Sequence, residues 1–228
     1  MSIPALAALV TAAALWGACV GALAVPRAAH RLAVEPGEPW RAVRGVAFPV
    51  HEGVRPGVVT GITCGVLAAA AGAEPELAVW LLTAPVCVVL VTVDIRVRRL
   101  PDVLTLPLAG AVALLLGGAA LIGSAGSWTR ALLGGLALGG AYLLLWLINP
   151  GGLGFGDVKL AFPLGMALGW YSWGILVTGA FAGFVLGALY GVGLIVSRRG
   201  NRRTALPFGP FMAIGALGGV CLGAIGVS

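Results

Sequence analysis

The sequence predicts an all-α, polytopic membrane protein with about eight transmembrane helices. Hydrophobic residues make up 60% of the 228-residue chain and charged residues only 10%, and the mean hydropathy is +1.04. A soluble domain is usually about one-quarter charged. Apolar runs long enough to span a bilayer recur along the whole chain, whereas the short alternating segments of a transmembrane β-barrel do not appear.

The apolar runs, taken in order, define the predicted spans. The first run follows MSIP, which has no basic residue. A secretory signal peptide normally begins with positive charge, so an uncleaved first span is favoured over a signal peptide. The predicted spans are 3–25, 57–73, 76–93, 103–123, 130–148, 157–170, 173–196 and 209–227.

Glycines recur every four residues on the last two predicted spans, and this spacing predicts close helix packing. These stripes are Gly179, Gly183, Gly187 and Gly191, followed by Gly215, Gly219 and Gly223.

Basic residues predict the orientation. If the spans alternate, the loops 26–56, 94–102 and 197–208, which carry most of the arginines, fall on one side, and the positive-inside rule makes that side cytoplasmic. The net charge of +6 is therefore attributed to contact with membrane lipids and not with nucleic acid. We divide the chain into N-terminal spans, 1–90, with a short basic cytoplasmic loop (26–56), and a membrane core, 91–228.

The four cysteines all lie in apolar runs and form no CxxC pair. Such cysteines are typical of buried free thiols that act as small hydrophobic groups. A zinc site needs clustered ligands, so neither a metal nor a cofactor is expected. The cysteines are Cys19, Cys64, Cys87 and Cys221.

Asp94 ends one apolar run and Asp157 begins another. A carboxylate at such a position is costly unless it is paired, protonated or functional. The interval between them holds two apolar runs, one crossing outward and one returning, so both carboxylates are expected on one face at similar depth. Two neighbouring carboxylates that share a proton can hydrolyse a peptide bond, with one as the base and the other as the acid.

The segment GGLGFGD before and including Asp157 is a candidate active-site or substrate-binding loop, with Gly154, Phe155 and Gly156. Glycines let an extended substrate backbone come close. Lys159 could tune the local field, although contact with a lipid headgroup is the ordinary alternative. Asp102 follows Pro101 and opens an apolar run, which predicts a helix-capping role.

Two other classes of function remain open on the residues alone. A transporter also uses intramembrane carboxylates and glycine-broken helices, but its acidic groups are expected near the middle of the membrane. A non-catalytic assembly protein of a pilus or secretion machine is the third hypothesis.

DIRVRRLPDVLTLPL, GFGDVKLAFPLGMALGW and LPFGPFMAIGA together resemble the bacterial type IV prepilin peptidases, which are GxGD-type membrane aspartyl proteases. The resemblance implies a multi-pass protein of the bacterial cytoplasmic (inner) membrane. It also implies cleavage of the N-terminal leader of prepilin or pseudopilin substrates near the cytoplasmic face. The two catalytic aspartates of the family match Asp94 and Asp157.

Many members of this family carry two CxxC pairs in the loop after the first span and also methylate the new N-terminus. Residues 26–56 contain no cysteine. The resemblance therefore indicates a short form that lacks the zinc motif, and it supports the peptidase activity but not the N-methyltransferase activity.

Overall fold

The computed structural model describes residues 1–32, 51–197 and 207–224, and these residues form helices and no strand. The eight helices correspond one to one to the eight predicted apolar runs, which confirms the all-α fold. They are α1 (Ile3–Leu32), α2 (His51–Ala71), α3 (Leu77–Val97), α4 (Asp102–Leu121), α5 (Trp128–Ile148), α6 (Phe155–Gly169), α7 (Trp173–Val196) and α8 (Gly209–Ala224).

Six of the described helices, α1 to α5 and α7, are long and apolar enough to cross a membrane. The chain is thus a multi-pass membrane protein. Helices α6 and α8 are shorter, with 15 and 16 residues. At 1.5 Å per residue α6 is about 22 Å long, whereas the hydrocarbon core of a bilayer is about 30 Å thick.

The helices around the 26–56 loop are longer than predicted. Helix α1 continues to Leu32 and α2 begins at His51, so both ends of that segment are helical and its middle lies outside the described residues. Hydropathy marks where the chain contacts lipid, and a helix can continue past that point into polar sequence. The division at residue 90 stays a prediction, and α3 runs through it.

Neighbouring helices pack closely through glycines. Helix α5 packs on α6, and α7 packs on α8. A Cβ atom on Gly165 of α6 would lie 2.6 Å from the carbonyl oxygen of Gly134 on α5. A Cβ atom on Gly215 of α8 would lie 2.6 Å from the backbone nitrogen of Gly183 on α7. No larger residue fits at these crossings, so the predicted close packing of the last two helices is confirmed.

The cysteines differ in their exposure. Cys64 and Cys87 are buried, as predicted, and Cys221 is partly buried. Cys19 is exposed on α1, so the prediction of a buried thiol is wrong there. A thiol is a small, weakly polar group, and it can face lipid without a hydrogen-bond partner.

Arg130, at the start of α5, lies at the end of the bundle away from the two aspartates. Its guanidinium donates hydrogen bonds to three backbone carbonyls at the end of α6: Gly169 (2.8 Å), Trp170 (2.6 Å) and Tyr171 (2.6 Å). The last carbonyls of a helix have no partner within the helix, and a cation there also complements the helix dipole. Arg130 thus fixes the far end of the helix that begins near Asp157.

Candidate active site

A cavity of about 420 Å³ opens where α3 ends and α4 and α6 begin. Both predicted aspartates line it, together with every other residue predicted for the site. The lining residues are Asp94, Arg98, Arg99, Leu100, Asp102, Pro150, Gly151, Gly152, Leu153, Gly154, Phe155, Gly156, Asp157 and Lys159.

Asp94 lies in the last turn of α3 and is only 5% exposed. The backbone N–H of Gly209, the first residue of α8, donates a hydrogen bond to Asp94 Oδ2 at 3.1 Å. Helix α3 ends just beyond, where Arg98 adopts a left-handed conformation with φ of 52° and donates its N–H to the backbone oxygen of Asp94. This turn directs the chain over the cavity toward α4.

Asp157 is the third residue of α6 and is likewise 5% exposed. Its Oδ2 accepts a hydrogen bond of 3.1 Å from the backbone N–H of Gly154, which caps the start of the helix. Its Oδ1 is buried and has no hydrogen-bond partner among the described residues. A buried carboxylate oxygen without a donor is costly, so it is suited to hold a proton or to receive one from a bound molecule.

The two carboxylates line the same cavity, and Asp94 lies within electrostatic range of Asp157. Two carboxylates that lie close enough to interact resist double ionisation, because each negative charge disfavours the other. Each also has one oxygen fixed by the backbone N–H of a glycine, which orients the pair. The arrangement can supply one acid and one base to a molecule in the cavity.

Two glycines before Asp157 lie where a side chain would meet a neighbouring atom, and the neighbour differs between them. A Cβ atom on Gly156 would lie 2.6 Å from Leu100 Cβ, so the segment between α3 and α4 can approach α6 only over a glycine. A Cβ atom on Gly154 would lie 3.2 Å from Asp157 Oδ2. Phe155 is half-exposed and packs its ring against Trp146, with 5.0 Å between the ring centroids.

Lys159 and Asp102 form an ion pair at the rim, with 2.6 Å between Nζ and Oδ1. The ammonium group also lies 4.9 Å from the centroid of the Phe155 ring. Asp102 is the first residue of α4. The N-cap of this helix is Pro101, and no side chain makes a capping hydrogen bond at the start of α4. The predicted position at the start of a helix is confirmed, and a negative charge there complements the helix dipole. The predicted capping hydrogen bond is wrong, because the Asp102 carboxylate pairs with Lys159 instead.

Two residues near the aspartates were missed by sequence reasoning. Gly209 lies in the motif LPFGPF, which carried the resemblance, but nothing in the motif shows that its N–H reaches Asp94. Tyr142 is buried in α5 within electrostatic range of Asp157, and it packs on Phe184 and Phe208. A tyrosine within an apolar run was the only signal for it.

The described residues contain no group of three or more histidine, cysteine, aspartate or glutamate side chains that could hold a metal ion. The cavity is lined by carboxylates, glycine backbone and basic side chains, which are groups that can exchange protons with a bound molecule.

Comparison with known proteins gives one family. Residues 81–192 match the model of the type IV leader peptidase family, a range that includes both aspartates and the whole cavity. No solved structure gives a significant match.

Several curated proteins are similar to this chain, and each is named "Prepilin leader peptidase/N-methyltransferase". The protein of Aeromonas salmonicida (strain A449) is 38% identical over 144 residues, which is 59% of this chain and 45% of the relative. The protein of Pectobacterium carotovorum subsp. carotovorum is 34% identical over 200 residues, 80% of this chain and 67% of the relative. The chain thus spans less than half the length of the Aeromonas protein and two-thirds of the Pectobacterium protein.

Proposed function

This chain belongs to the type IV leader peptidase family, and on that premise we propose that it is an aspartic endopeptidase with Asp94 and Asp157 as its catalytic groups. The observation that carries the proposal is the convergence of these two buried carboxylates, from separate helices, on one cavity. Both lie at the ends of their helices. That position supports a site open to water more than the mid-membrane site expected of a transporter.

The pair acts as acid and base on a peptide bond. The ionised carboxylate takes a proton from a water molecule as the water oxygen bonds to the carbonyl carbon, while the protonated carboxyl donates its proton to the carbonyl oxygen. When the tetrahedral intermediate collapses, the C–N bond breaks and the amine receives the proton that came from water. The hydroxyl group of the intermediate returns the other proton to the dyad, which again holds one proton.

The proposed substrates are prepilins or pseudopilins, whose N-terminal leader is removed. The names of the relatives support this substrate class. The proposed location is the bacterial cytoplasmic (inner) membrane, with the cavity toward the cytoplasm. Arg98 and Arg99 line the cavity, and Arg96 lies in the last turn of α3. These positive charges support this orientation through the positive-inside rule. Residues 26–56 lack cysteine, and the proposal covers the peptidase reaction alone.

The test is cleavage of candidate prepilins by the purified full chain in detergent, with sequencing of the new N-terminus. Asp94→Ala and Asp157→Ala should each lower the rate by about 10²- to 10⁴-fold or more, because each removes a proton-transfer group. Asp102→Ala is the matched control on the same cavity, and it should retain much of the activity. Cleavage that survives in both of the first two variants would overturn the assignment.

A further inference from the structure

The Leu100 side chain lies where the helices that hold the two aspartates come together. It is 8% exposed, and it lines the cavity together with Asp94 and Asp157. Leu100 belongs to the segment between α3 and α4, so it lies in neither of the helices that carry an aspartate. A side chain in this position can contact the surroundings of both carboxylates at once.

One end of the Leu100 side chain packs against the residue before Asp157. A Cβ atom on Gly156 would lie 2.6 Å from Leu100 Cβ and 3.3 Å from both Leu100 Cγ and the Leu100 backbone nitrogen. The start of α6 therefore cannot move closer to Leu100. Because Gly156 and Asp157 are consecutive in the first turn of α6, the position of Leu100 limits the position of the turn that carries Asp157.

The other end of the Leu100 side chain reaches Gly209. A Cβ atom on Gly209 would lie 3.7 Å from Leu100 Cδ2 and 3.0 Å from Asp94 Oδ2. A methyl group of Leu100 and the carboxylate of Asp94 thus border the same small space beside Gly209. Since the N–H of Gly209 donates to Asp94 Oδ2, this methyl group lies next to the donor that orients Asp94.

The backbone on either side of Leu100 fixes the direction of its side chain. Arg98 ends α3 in a left-handed conformation and so turns the chain. Pro101 follows Leu100, and a residue before a proline is restricted to extended backbone conformations. The carbonyl of Pro101 then accepts the N–H groups of Leu104 and Thr105 as α4 begins. Leu100 is therefore held between the end of one helix and the start of the next.

We propose that Leu100 is a positioning residue that sets the placement of Asp94 relative to Asp157. The inference rests on the proposed peptidase function. Among the described residues the two carboxylates make no hydrogen bond to each other, and each one bonds to a glycine N–H instead. Their spacing therefore depends on how the end of α3 packs with the starts of α6 and α8. Leu100 fills this junction with apolar atoms, which do not compete for the protons of the two carboxylates.

The first experiment measures leader cleavage by variants at position 100. Leu100→Ala keeps the Cβ atom at Gly156 but removes the methyl group that reaches Gly209. A displacement of 1 Å at a reacting group can cost about a hundredfold, so we expect kcat to fall about tenfold. KM should change little, because the loss concerns the reacting groups. Leu100→Met has a similar volume and should retain most of kcat.

Leu108→Ala is the matched control. It removes the same atoms from a leucine of α4 that is 3% exposed and does not line the cavity. Both alanine variants should unfold at a lower temperature than the unaltered protein, because each leaves a space in the core. The kcat of folded Leu108→Ala should nevertheless stay close to that of the unaltered protein.

Three results would overturn the proposal. The first is an unchanged kcat in Leu100→Ala. The second is an equal loss of kcat in Leu100→Ala and Leu108→Ala, because the effect would then be one of stability alone. The third is an equal loss in Leu100→Ala and Leu100→Met, because the filled volume would then have no role. If the unaltered protein cleaves no candidate prepilin, the peptidase proposal itself fails, which is a separate result.

A second experiment does not depend on turnover. Hydrogen exchange of the Gly209 amide, which is bonded to Asp94, is measured on the protein in detergent by fragmentation mass spectrometry. Exchange reports local opening of the structure, and we expect Leu100→Ala to accelerate it about tenfold. Leu108→Ala should accelerate it much less. Equal exchange rates of this amide in the two variants would show that Leu100 does not hold the start of α8, and the proposal would be wrong.

Discussion

Gly209 donates its backbone N–H to Asp94 Oδ2 at 3.1 Å and so joins the start of α8 to the end of α3. Gly154 makes the same bond, of the same length, to Asp157 Oδ2. Each aspartate thus has one oxygen fixed by a donor that cannot change its protonation. A backbone N–H is also rigid, and such preorganisation is worth more in an enclosed site than in water.

The first prediction concerns Gly209→Ala. A Cβ atom there would lie 3.0 Å from Asp94 Oδ2, so the carboxylate must move by a few tenths of an ångström. Small misplacements of a reacting group are costly, and a displacement of 1 Å can cost about a hundredfold. We expect kcat for leader cleavage to fall about tenfold, with a smaller change in KM. Gly218→Ala, on the same helix with nothing within 4 Å of the added carbon, is the control. Equal kcat values in the two variants would show that this contact has no role.

The second prediction concerns the Lys159–Asp102 ion pair. Asp102 is 58% exposed, so the pair should contribute no more than about 1 kcal/mol to stability. Asp102→Asn should therefore leave the thermal unfolding temperature in detergent nearly unchanged. The pair still links α4 to α6 across the cavity rim. We expect the double reversal Asp102→Lys with Lys159→Asp to cleave faster than either single reversal. A double variant no better than the worse single one would show that the two charges do not act together.

The third prediction concerns Gly165→Ala at the crossing of α5 and α6. The added carbon would approach Gly134 O to 2.6 Å and Leu138 Cβ to 2.9 Å, and neither is a flexible side-chain end. Overpacking of this kind costs about 1–3 kcal/mol, and the separation of the helices also moves Asp157. Thermal unfolding should thus occur at lower temperature and cleavage should be slower. Gly140→Ala, on α5 with open space around the added carbon, should be neutral or stabilising. A Gly165→Ala protein as stable as the control would contradict the packing argument.

The fourth prediction concerns Arg130→Met. The substitution removes three hydrogen bonds to the carbonyls at the end of α6 but keeps much of the apolar stem. Each hydrogen bond from a charged group contributes about 1.5–3 kcal/mol, so the loss of all three should lower the free energy of unfolding by at least about that amount. Arg130→Lys keeps the charge but not the planar fork, and it should recover only part of the loss. If the lysine variant equals the original protein, charge alone explains the effect.

Hydropathy predicted the helices well because each run of lipid-facing residues must be helical. The juxtaposition of Asp94 and Asp157 was also predictable, since one out-and-back pair of spans returns the chain to the same face. Both the helices and the shared face of the two aspartates follow from the order of apolar runs along the chain, without knowledge of which helices pack together. The resemblance to a known family then pointed to the same two residues, and their catalytic role is a proposal that the variants above test.

What the sequence could not predict depends on contacts between distant segments. The bond from Gly209 to Asp94 joins residues that lie far apart in the chain, and no local pattern marks it. The ion pair replaced the predicted cap of Asp102 because α6 brings Lys159 close to it. No role was predicted for Arg130. The positive-inside rule uses only the number of basic residues in each loop, so it does not identify an arginine that is bonded to backbone carbonyls at the end of the bundle away from the aspartates.

The shortness of α6 leaves room for the cavity at its start. Held at one end by Arg130, this helix of about 22 Å covers less than the full distance across a hydrocarbon core of about 30 Å. Most residues of α6 are buried among the other, longer helices, so the difference in length lies inside the bundle and not against lipid. The cavity beside Asp157 takes up that difference, and it is an opening through which water can reach both carboxylates.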